Sequence, residues 1–122
     1  MFEFSPLAKT WILDIDGTIV KHNGYKIDGY DTLLEGVKEF FSDLPQDDKV
    51  ILLTARKGEY LDNLKEFLKC NNIRYDYLIS DMPFGERILI NDRKPSGLNT
   101  AYAVNKNRDY KFSIDYKINE EI

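Results

Sequence analysis

Polar side chains that could act on a phosphoryl group follow three separate apolar segments of the chain. They are Asp14 and Asp16 after the first segment, Thr54 after the second, and Asp92 and Lys94 after the third. Three carboxylates at one edge would repel one another unless a cation or a proton lay between them. Mg²⁺ is the ion that a few carboxylate and carbonyl oxygens usually hold. A hydroxyl and a lysine beside that ion would neutralise phosphoryl oxygens, so these residues predict Mg²⁺-assisted phosphoryl chemistry.

Alternating strands and helices must bring these side chains together. Apolar runs predict strands at 10–14, 49–53, 77–79, 87–90 and 101–104. Apolar stripes of helical period predict helices over 32–44 and from Tyr60 to Leu68. This alternation is typical of βαβ units, and ligands bind at the carboxyl ends of the strands in such sheets. We expect an α/β three-layer sandwich with a mainly parallel, Rossmann-like sheet.

Two segments lie outside this alternation. Asn23-Gly24 between short β-type stretches predicts a hairpin, which would form a small flap over about residues 19–30. Alternating apolar and polar residues from Phe112 to Ile118 predict a strand in a tail of about residues 105–122. Since an edge strand needs a partner, its apolar face could lie on its own sheet, pair with the flap or meet a second subunit. We expect the tail to contribute to a homo-oligomer surface near the flap.

Length and composition indicate one globular domain, residues 1–122. The chain is 43% hydrophobic and 31% charged, and its net charge of −4 argues against general affinity for nucleic acid or anionic membranes. The single cysteine, Cys70, excludes an intramolecular disulfide. No apolar run approaches the ~20 residues of a membrane helix. The N-terminus lacks the apolar core of a signal peptide, so we expect a cytoplasmic protein without a membrane partner.

Three segments resemble known motifs. Residues 11–18 (WILDIDGT), 52–56 (LLTAR) and 88–92 (ILIND) are similar in order and spacing to motifs I, II and IV of the haloacid dehalogenase superfamily of phosphatases. The resemblance covers roughly residues 9–104 and implies a haloacid dehalogenase-like fold. The gaps after motif I and motif II have no room for a cap domain, so the chain looks like a small capless member.

The resemblance implies a role for each matching residue. Asp14 would attack phosphorus to give an aspartyl-phosphate, and Asp16 would protonate the leaving alkoxide and later activate water. Thr54 would hold a phosphoryl oxygen. Mg²⁺ would bind the carboxylates of Asp14 and Asp92 and the backbone carbonyl of Asp16. Further substrate contacts would come from the neighbours of these residues, which are Gly17, Thr18, Ala55 and Arg56.

The family's phosphate-binding cation is missing from its usual place. The residues after the third predicted strand, 80–83, read SDMP and carry no positive charge. Lys94 follows Asp92 by two residues and stays at the same edge, so we expect it to supply the charge. Arg87 begins a predicted strand, which would put it more than about 10 Å from that edge. Arg56 is the third alternative.

These features predict a Mg²⁺-dependent phosphatase for a small phosphorylated metabolite such as a sugar phosphate. The similar small bacterial phosphatases belong to sugar-phosphate and surface-polysaccharide pathways. A signalling receiver domain stays open as an alternative because it also combines acids, a Thr and a Lys-Pro like Lys94-Pro95, although Thr54 stands where its phosphate-accepting Asp is expected. A 3′-end phosphatase on nucleic acid also stays open, but the chain has no basic stripe.

Overall fold

A three-stranded parallel sheet with two connecting helices forms the centre of the protein. The computed structural model describes all residues, 1–122. In chain order its elements are β1 (Phe2–Phe4), β2 (Thr10–Asp14), α1 (Gly24–Ile27), α2 (Val37–Asp43), β3 (Lys49–Leu53), α3 (Glu59–Cys70), β4 (Tyr77–Ile79) and β5 (Tyr116–Ile118). The central sheet has the order β2-β3-β4, and β1 pairs with β5 in a second parallel sheet. The protein is therefore an α/β protein with parallel sheets and no closed barrel.

The hydrophobic core lies on one face of the central sheet. Alternate strand residues point to the same face, and Leu13, Val50 and Leu52 are buried there. They form one cluster with buried residues of the two helices: Val37 and Phe41 of α2, and Leu64 and Leu68 of α3. On the opposite face Ile12 is 48% exposed and Ile79 is 42% exposed. No helix covers those residues as the expected third layer would. None of the helices is long and apolar enough to cross a membrane.

Both long helices form, although α2 is shorter than predicted. It begins only after Gly36, whose positive φ of 89° interrupts the predicted helix, so the first turn of the predicted stretch is not helical. It ends before Leu44, which is extended because the next residue is Pro45. The prediction of α3 is confirmed, with its apolar stripe turned toward the core.

The strands predicted at 87–90 and 101–104 are wrong, since residues 80–115 contain no helix or strand. Ile88 and Ile90 are instead 83% and 91% exposed. Apolar, β-branched residues favour a strand, but a strand forms only where a neighbour satisfies its backbone. In this structure β2 is the last strand of the sheet on one side, and no segment pairs with its free edge.

The predicted hairpin flap is also wrong, because residues 24–27 form the short helix α1. The backbone N–H groups of Lys26 and Ile27 donate to the carbonyl of Asn23 at 3.0 and 2.9 Å. The two-residue hairpin turn typical of Asn-Gly needs positive φ at both residues. Only Asn23, with φ 55°, meets that condition. Lone bridges, including one between Val20 and Leu33, close the base of the segment.

The C-terminal tail is ordered, but its strand is shorter than the alternation from Phe112 to Ile118 predicts. Only β5 is a strand, and it pairs with β1 at the other end of the chain. Ahead of it, the N–H of Phe112 donates to the carbonyl of Glu35 at 2.7 Å. The rings of Phe112 and Phe40 lie 4.8 Å apart. The tail therefore packs against α2 and β1 of its own chain.

We expect Gly36→Ala to lower the free energy of unfolding by about 2–4 kcal/mol, from the left-handed backbone and the overpacking together. A Cβ at Gly36 would overlap the carbonyl oxygen of Phe112. The matched control is Gly29→Ala, because Gly29 also has positive φ, 84°, and no atom near its Cβ position. That change should cost only about 1–2 kcal/mol. Urea denaturation measures both, and equal losses would show that the tail does not rest on Gly36.

Candidate active site

The end of β2 and the loop that follows it place two carboxylates at the edge of the sheet. The loop's apolar residues Ile15, Ile19 and Val20 are completely buried. The N–H groups of Thr18, Ile19 and Val20 all converge on the carbonyl of Ile15, at 3.1, 2.9 and 3.1 Å. This turn anchors the loop in the core. The side chains of Asp14 and Asp16 remain 41% and 20% exposed at the surface.

Asp14 lies beside a hydroxyl and a guanidinium. Thr18 Oγ1 donates to Asp14 Oδ2 at 3.3 Å, and Arg87 Nη2 lies 3.5 Å from Asp14 Oδ1. Burial raises the pKa of Asp14 above its ordinary value, while Arg87 and the Thr18 hydroxyl act in the opposite direction. The result is a partly exposed carboxylate with a positive charge directly beside it.

The second carboxylate, Asp16, is held by a buried arginine. Arg56 Nη2 contacts Asp16 Oδ1 at 2.6 Å, and Arg56 Nε donates to the two oxygens at 3.2 and 3.3 Å. The other side of the guanidinium donates to both oxygens of Asp31, at 2.9 and 2.7 Å. The side chains of Arg56 and Asp31 are only 2% and 4% exposed. Arg56 also stacks on Tyr25, with its Cζ 3.8 Å from the ring centre.

This network determines the charge of Arg56. Burial acts to lower the pKa of Arg56, but the hydrogen bonds and charges of Asp31 and Asp16 outweigh burial and raise the pKa above its ordinary value. The guanidinium therefore stays charged and fixed. Because Nε and Nη2 donate to Asp16 while Nη1 and Nη2 donate to Asp31, Arg56 holds Asp16 in place.

Thr54 lies where β3 ends, next to Asp16. It is 1% exposed, and its Oγ1 is 3.4 Å from Asp16 Oδ2. The same oxygen accepts a hydrogen bond from the N–H of Arg56 at 3.1 Å, and the Thr54 N–H donates to the carbonyl of Ile79 at 3.0 Å. The end of β3 is thereby tied to the end of β4. The Thr54 hydroxyl thus lies between the Asp16 carboxylate and the backbone N–H of Arg56.

The predicted site residues separate into two groups. The structure brings together those of the first two motifs: Asp14, Asp16, Gly17, Thr18, Thr54, Ala55 and Arg56. Asp92 and Lys94 are exposed and do not join them. The carbonyl of Asp92 accepts the Thr100 hydroxyl, and the N–H of Lys94 donates to Leu98 at 3.1 Å. No three acidic, histidine or cysteine side chains gather into a group that could hold a metal ion.

Arg87 is the cation that reaches the site, which corrects the expectation that it lies more than about 10 Å away. That estimate assumed a strand from Arg87 to Ile90, and the strand does not form. The irregular chain lets Arg87 turn toward Asp14 instead. Lys94, the favoured residue, makes no ion pair.

Sequence reasoning missed the partners of Arg56. Asp31 stands directly before the helix predicted over 32–44, and Tyr25 lies within the predicted flap. The signal available was chemical: an arginine directly after a buried strand needs acceptors for its five N–H groups. That requirement does not indicate which acid supplies them. Asp31 is in fact 25 residues away along the chain.

We expect Asp31→Asn to lower the free energy of unfolding by about 3 kcal/mol, because it removes one of the charges that compensate the buried Arg56. Asp28→Asn is the matched control. Asp28 pairs with Lys21 at 2.9 Å, but both side chains are partly exposed, so its loss should cost about 1 kcal/mol or less. Chemical denaturation of the two variants checks the difference. Equal effects would contradict the assignment of Asp31 as a buried partner.

The assembled site consists of the carboxylates of Asp14 and Asp16, two threonine hydroxyls and two arginines, gathered where β2 and β3 end. Comparison with protein-family models, curated proteins and solved structures finds no match. Guanidinium and hydroxyl groups can neutralise and hydrogen-bond the oxygens of an anionic ligand. They would therefore allow a carboxylate to approach such a ligand.

Proposed function

We propose that the protein is a phosphatase that hydrolyses phosphomonoesters through a covalent intermediate on Asp14. The observation that carries this proposal is the position of Asp14, partly exposed at the sheet edge with Arg87 Nη2 at 3.5 Å. A carboxylate repels a phosphate dianion, so a nucleophilic aspartate needs such a cation beside it. We also propose that the fold is a small capless haloacid dehalogenase-like one. Its support is the parallel β2-β3-β4 order, with Asp14 and Thr54 at neighbouring strand ends.

In the proposed reaction an oxygen of Asp14 attacks the phosphorus atom, and the bond from phosphorus to the leaving oxygen breaks. A water molecule then attacks phosphorus, the bond to Asp14 breaks, and inorganic phosphate leaves. Arg87 neutralises the phosphoryl oxygens during both steps. The Thr54 hydroxyl, whose proton points to Asp16 in the structure, would turn it toward one of those oxygens.

Asp16 supplies the proton in this proposal. It would protonate the leaving alkoxide in the first step and take a proton from water in the second. In the structure its oxygens accept hydrogen bonds from Arg56. A proton on Asp16 would displace at least one of these bonds. Arg56 therefore fixes the direction of the carboxylate, and its anchor Asp31 keeps the guanidinium in place.

Mg²⁺ belongs to the proposal as a requirement, and the residues as placed do not complete its site. The Asp14 carboxylate and the Asp16 backbone carbonyl are suitable hard oxygen donors. No third acid joins them. Asp92 would do so only if residues 87–92 paired with the free edge of β2, where Ile88 and Ile90 are now exposed. No step above is therefore assigned to the ion.

We expect the protein to hydrolyse p-nitrophenyl phosphate with sustained turnover in MgCl₂. EDTA should remove the activity and added Mg²⁺ should restore it, because hard oxygen donors favour Mg²⁺, and Zn²⁺ should do no better. Release of p-nitrophenol measures each condition. Absence of turnover in every condition would contradict the proposed function. Full activity in EDTA would contradict the metal requirement alone.

We further propose that the substrate is a small phosphorylated metabolite such as a sugar phosphate. The Tyr60 ring is 51% exposed and lies 5.1 Å from the ring of Tyr25, which stacks on Arg56. Aromatic faces beside the proton donor would suit the ring of a sugar as leaving group. A panel of phosphorylated sugars, nucleotides and amino acids tests this proposal. A preference for nucleotides or amino acids would contradict it.

A further inference from the structure

A short C-terminal segment, Lys106–Asp109, clasps the loop that carries the carboxylates. The N–H of Asp109 donates to the carbonyl of Gly17 at 2.9 Å, and Lys106 Nζ lies 3.4 Å from the same oxygen. Asp109 Oδ1 accepts the N–H of His22 at 2.7 Å. These contacts join residues almost ninety positions apart. We call this segment the clasp.

The clasp fits the loop closely. Gly17 has φ 86°, a conformation that glycine adopts most readily, and a Cβ there would lie 3.2 Å from Arg108 Cγ. Asp109 itself has φ 62°, a conformation that Asp, Asn and Gly tolerate best. Burial at this contact lowers the pKa of Lys106, with Asp109 opposing the shift. The clasp therefore packs directly against the loop at Gly17.

The clasp supplies what the loop cannot supply for itself. Within the loop, the N–H groups of residues 18–20 use the carbonyl of Ile15, and the Gly17 N–H uses that of Val20 at 2.8 Å. The Gly17 carbonyl and the His22 N–H depend on the clasp. Between those two points lies Thr18, the hydroxyl that bonds Asp14. Asp109 therefore holds both ends of the segment that orients the nucleophile.

We propose that Asp109 is a positioning residue for the phosphatase reaction, acting through the Gly17–His22 segment and touching no reacting atom. The inference rests on the proposed function. It also makes a claim that is independent of activity, that the Asp109 carboxylate protects the His22 amide. A misplaced nucleophile lowers the rate of the chemical step more than substrate binding. Loss of Asp109 should therefore appear in kcat and leave KM nearly unchanged.

The test uses the full-length protein and two substitutions at one position. Asp109→Gly removes the carboxylate but tolerates the positive φ, so backbone strain does not confound the result. Asp109→Asn keeps an oxygen that accepts the His22 N–H. The matched control is Asp81→Gly, because Asp81 also has φ 56° and its carboxylate reaches only Lys57, at 3.9 Å. Turnover of p-nitrophenyl phosphate and hydrogen exchange of the His22 amide are measured for each.

We expect Asp109→Gly to lower kcat about tenfold or more with little change in KM, and to accelerate exchange of the His22 amide. Asp109→Asn should keep most of the wild-type kcat and most of the protection of the His22 amide. Asp81→Gly should change neither kcat nor that exchange rate. Should Asp109→Gly fail to fold, Lys106→Met removes the other contact to Gly17 and should lower kcat by a smaller factor.

Three results would overturn the proposal. Asp109→Gly could match the control in kcat, Asp109→Asn could be as impaired as Asp109→Gly, or Lys106→Met could leave kcat unchanged. A wild-type protein without turnover, but with fast His22 exchange only in Asp109→Gly, would locate the failure in the proposed function. The clasp itself would then stand as a structural contact.

Discussion

Asp14→Asn is expected to abolish hydrolysis of p-nitrophenyl phosphate, with a loss of more than about 10³-fold in kcat. The amide has nearly the shape of the carboxylate, and its oxygen can still accept the Thr18 hydroxyl. An amide is a poor nucleophile and carries no charge for Arg87 to neutralise. Because burial raises the pKa of Asp14, exchanging it for a neutral group should not unfold the protein.

The control for this prediction is Asp47→Asn, at an exposed acid in the turn before β3. It should keep wild-type activity. Circular dichroism of both variants checks that the fold is intact. An Asp14→Asn protein that kept more than a few per cent of wild-type turnover would contradict a covalent mechanism on Asp14.

Arg87→Ala is expected to lower kcat/KM by about 10²–10³-fold, comparable with the loss of one oxyanion donor. The reason is its contact with Asp14, which places a positive charge where the phosphoryl oxygens would lie. Arg87→Lys should recover part of the activity, because it keeps the charge and loses the planar set of donors. Steady-state kinetics with p-nitrophenyl phosphate measures both variants.

Lys94→Ala is the comparison that decides between the two cations. Lys94 is exposed and makes no ion pair, so its removal should cost much less than that of Arg87. A larger loss at Lys94 would show that residues 87–94 adopt another arrangement during turnover. In that case the cation predicted from the sequence would be the working one.

The central elements could be predicted because their signals are local. The apolar run from Lys49 to Leu53 predicts a strand, and the apolar stripe ending at Leu68 predicts a helix. Both patterns depend only on residues close together in the sequence. Ile88–Ile90 carry an equally strong run, but a strand also requires a partner, and partners are set by tertiary structure. The hairpin prediction at Asn23-Gly24 failed for a related reason. The same pair of residues fits a hairpin turn and also the start of the short helix α1.

The candidate site shows the same division. Asp14, Asp16 and Thr54 could be placed together because the carboxyl ends of neighbouring parallel strands meet. Asp31 and Asp109 reach the site from segments without regular structure, where spacing along the sequence says little about position. Their roles became visible only through their contacts with Arg56 and with the Gly17–His22 segment.

Mass spectrometry of the protein quenched in acid during turnover tests the central claim most directly. The account predicts one phosphoryl group on the peptide that contains Asp14, present only while substrate is turned over and absent from Asp14→Asn. Sustained turnover with no phosphoryl group on Asp14 would contradict the covalent mechanism. A phosphoryl group that accumulated without turnover would contradict the phosphatase itself and favour a receiver domain.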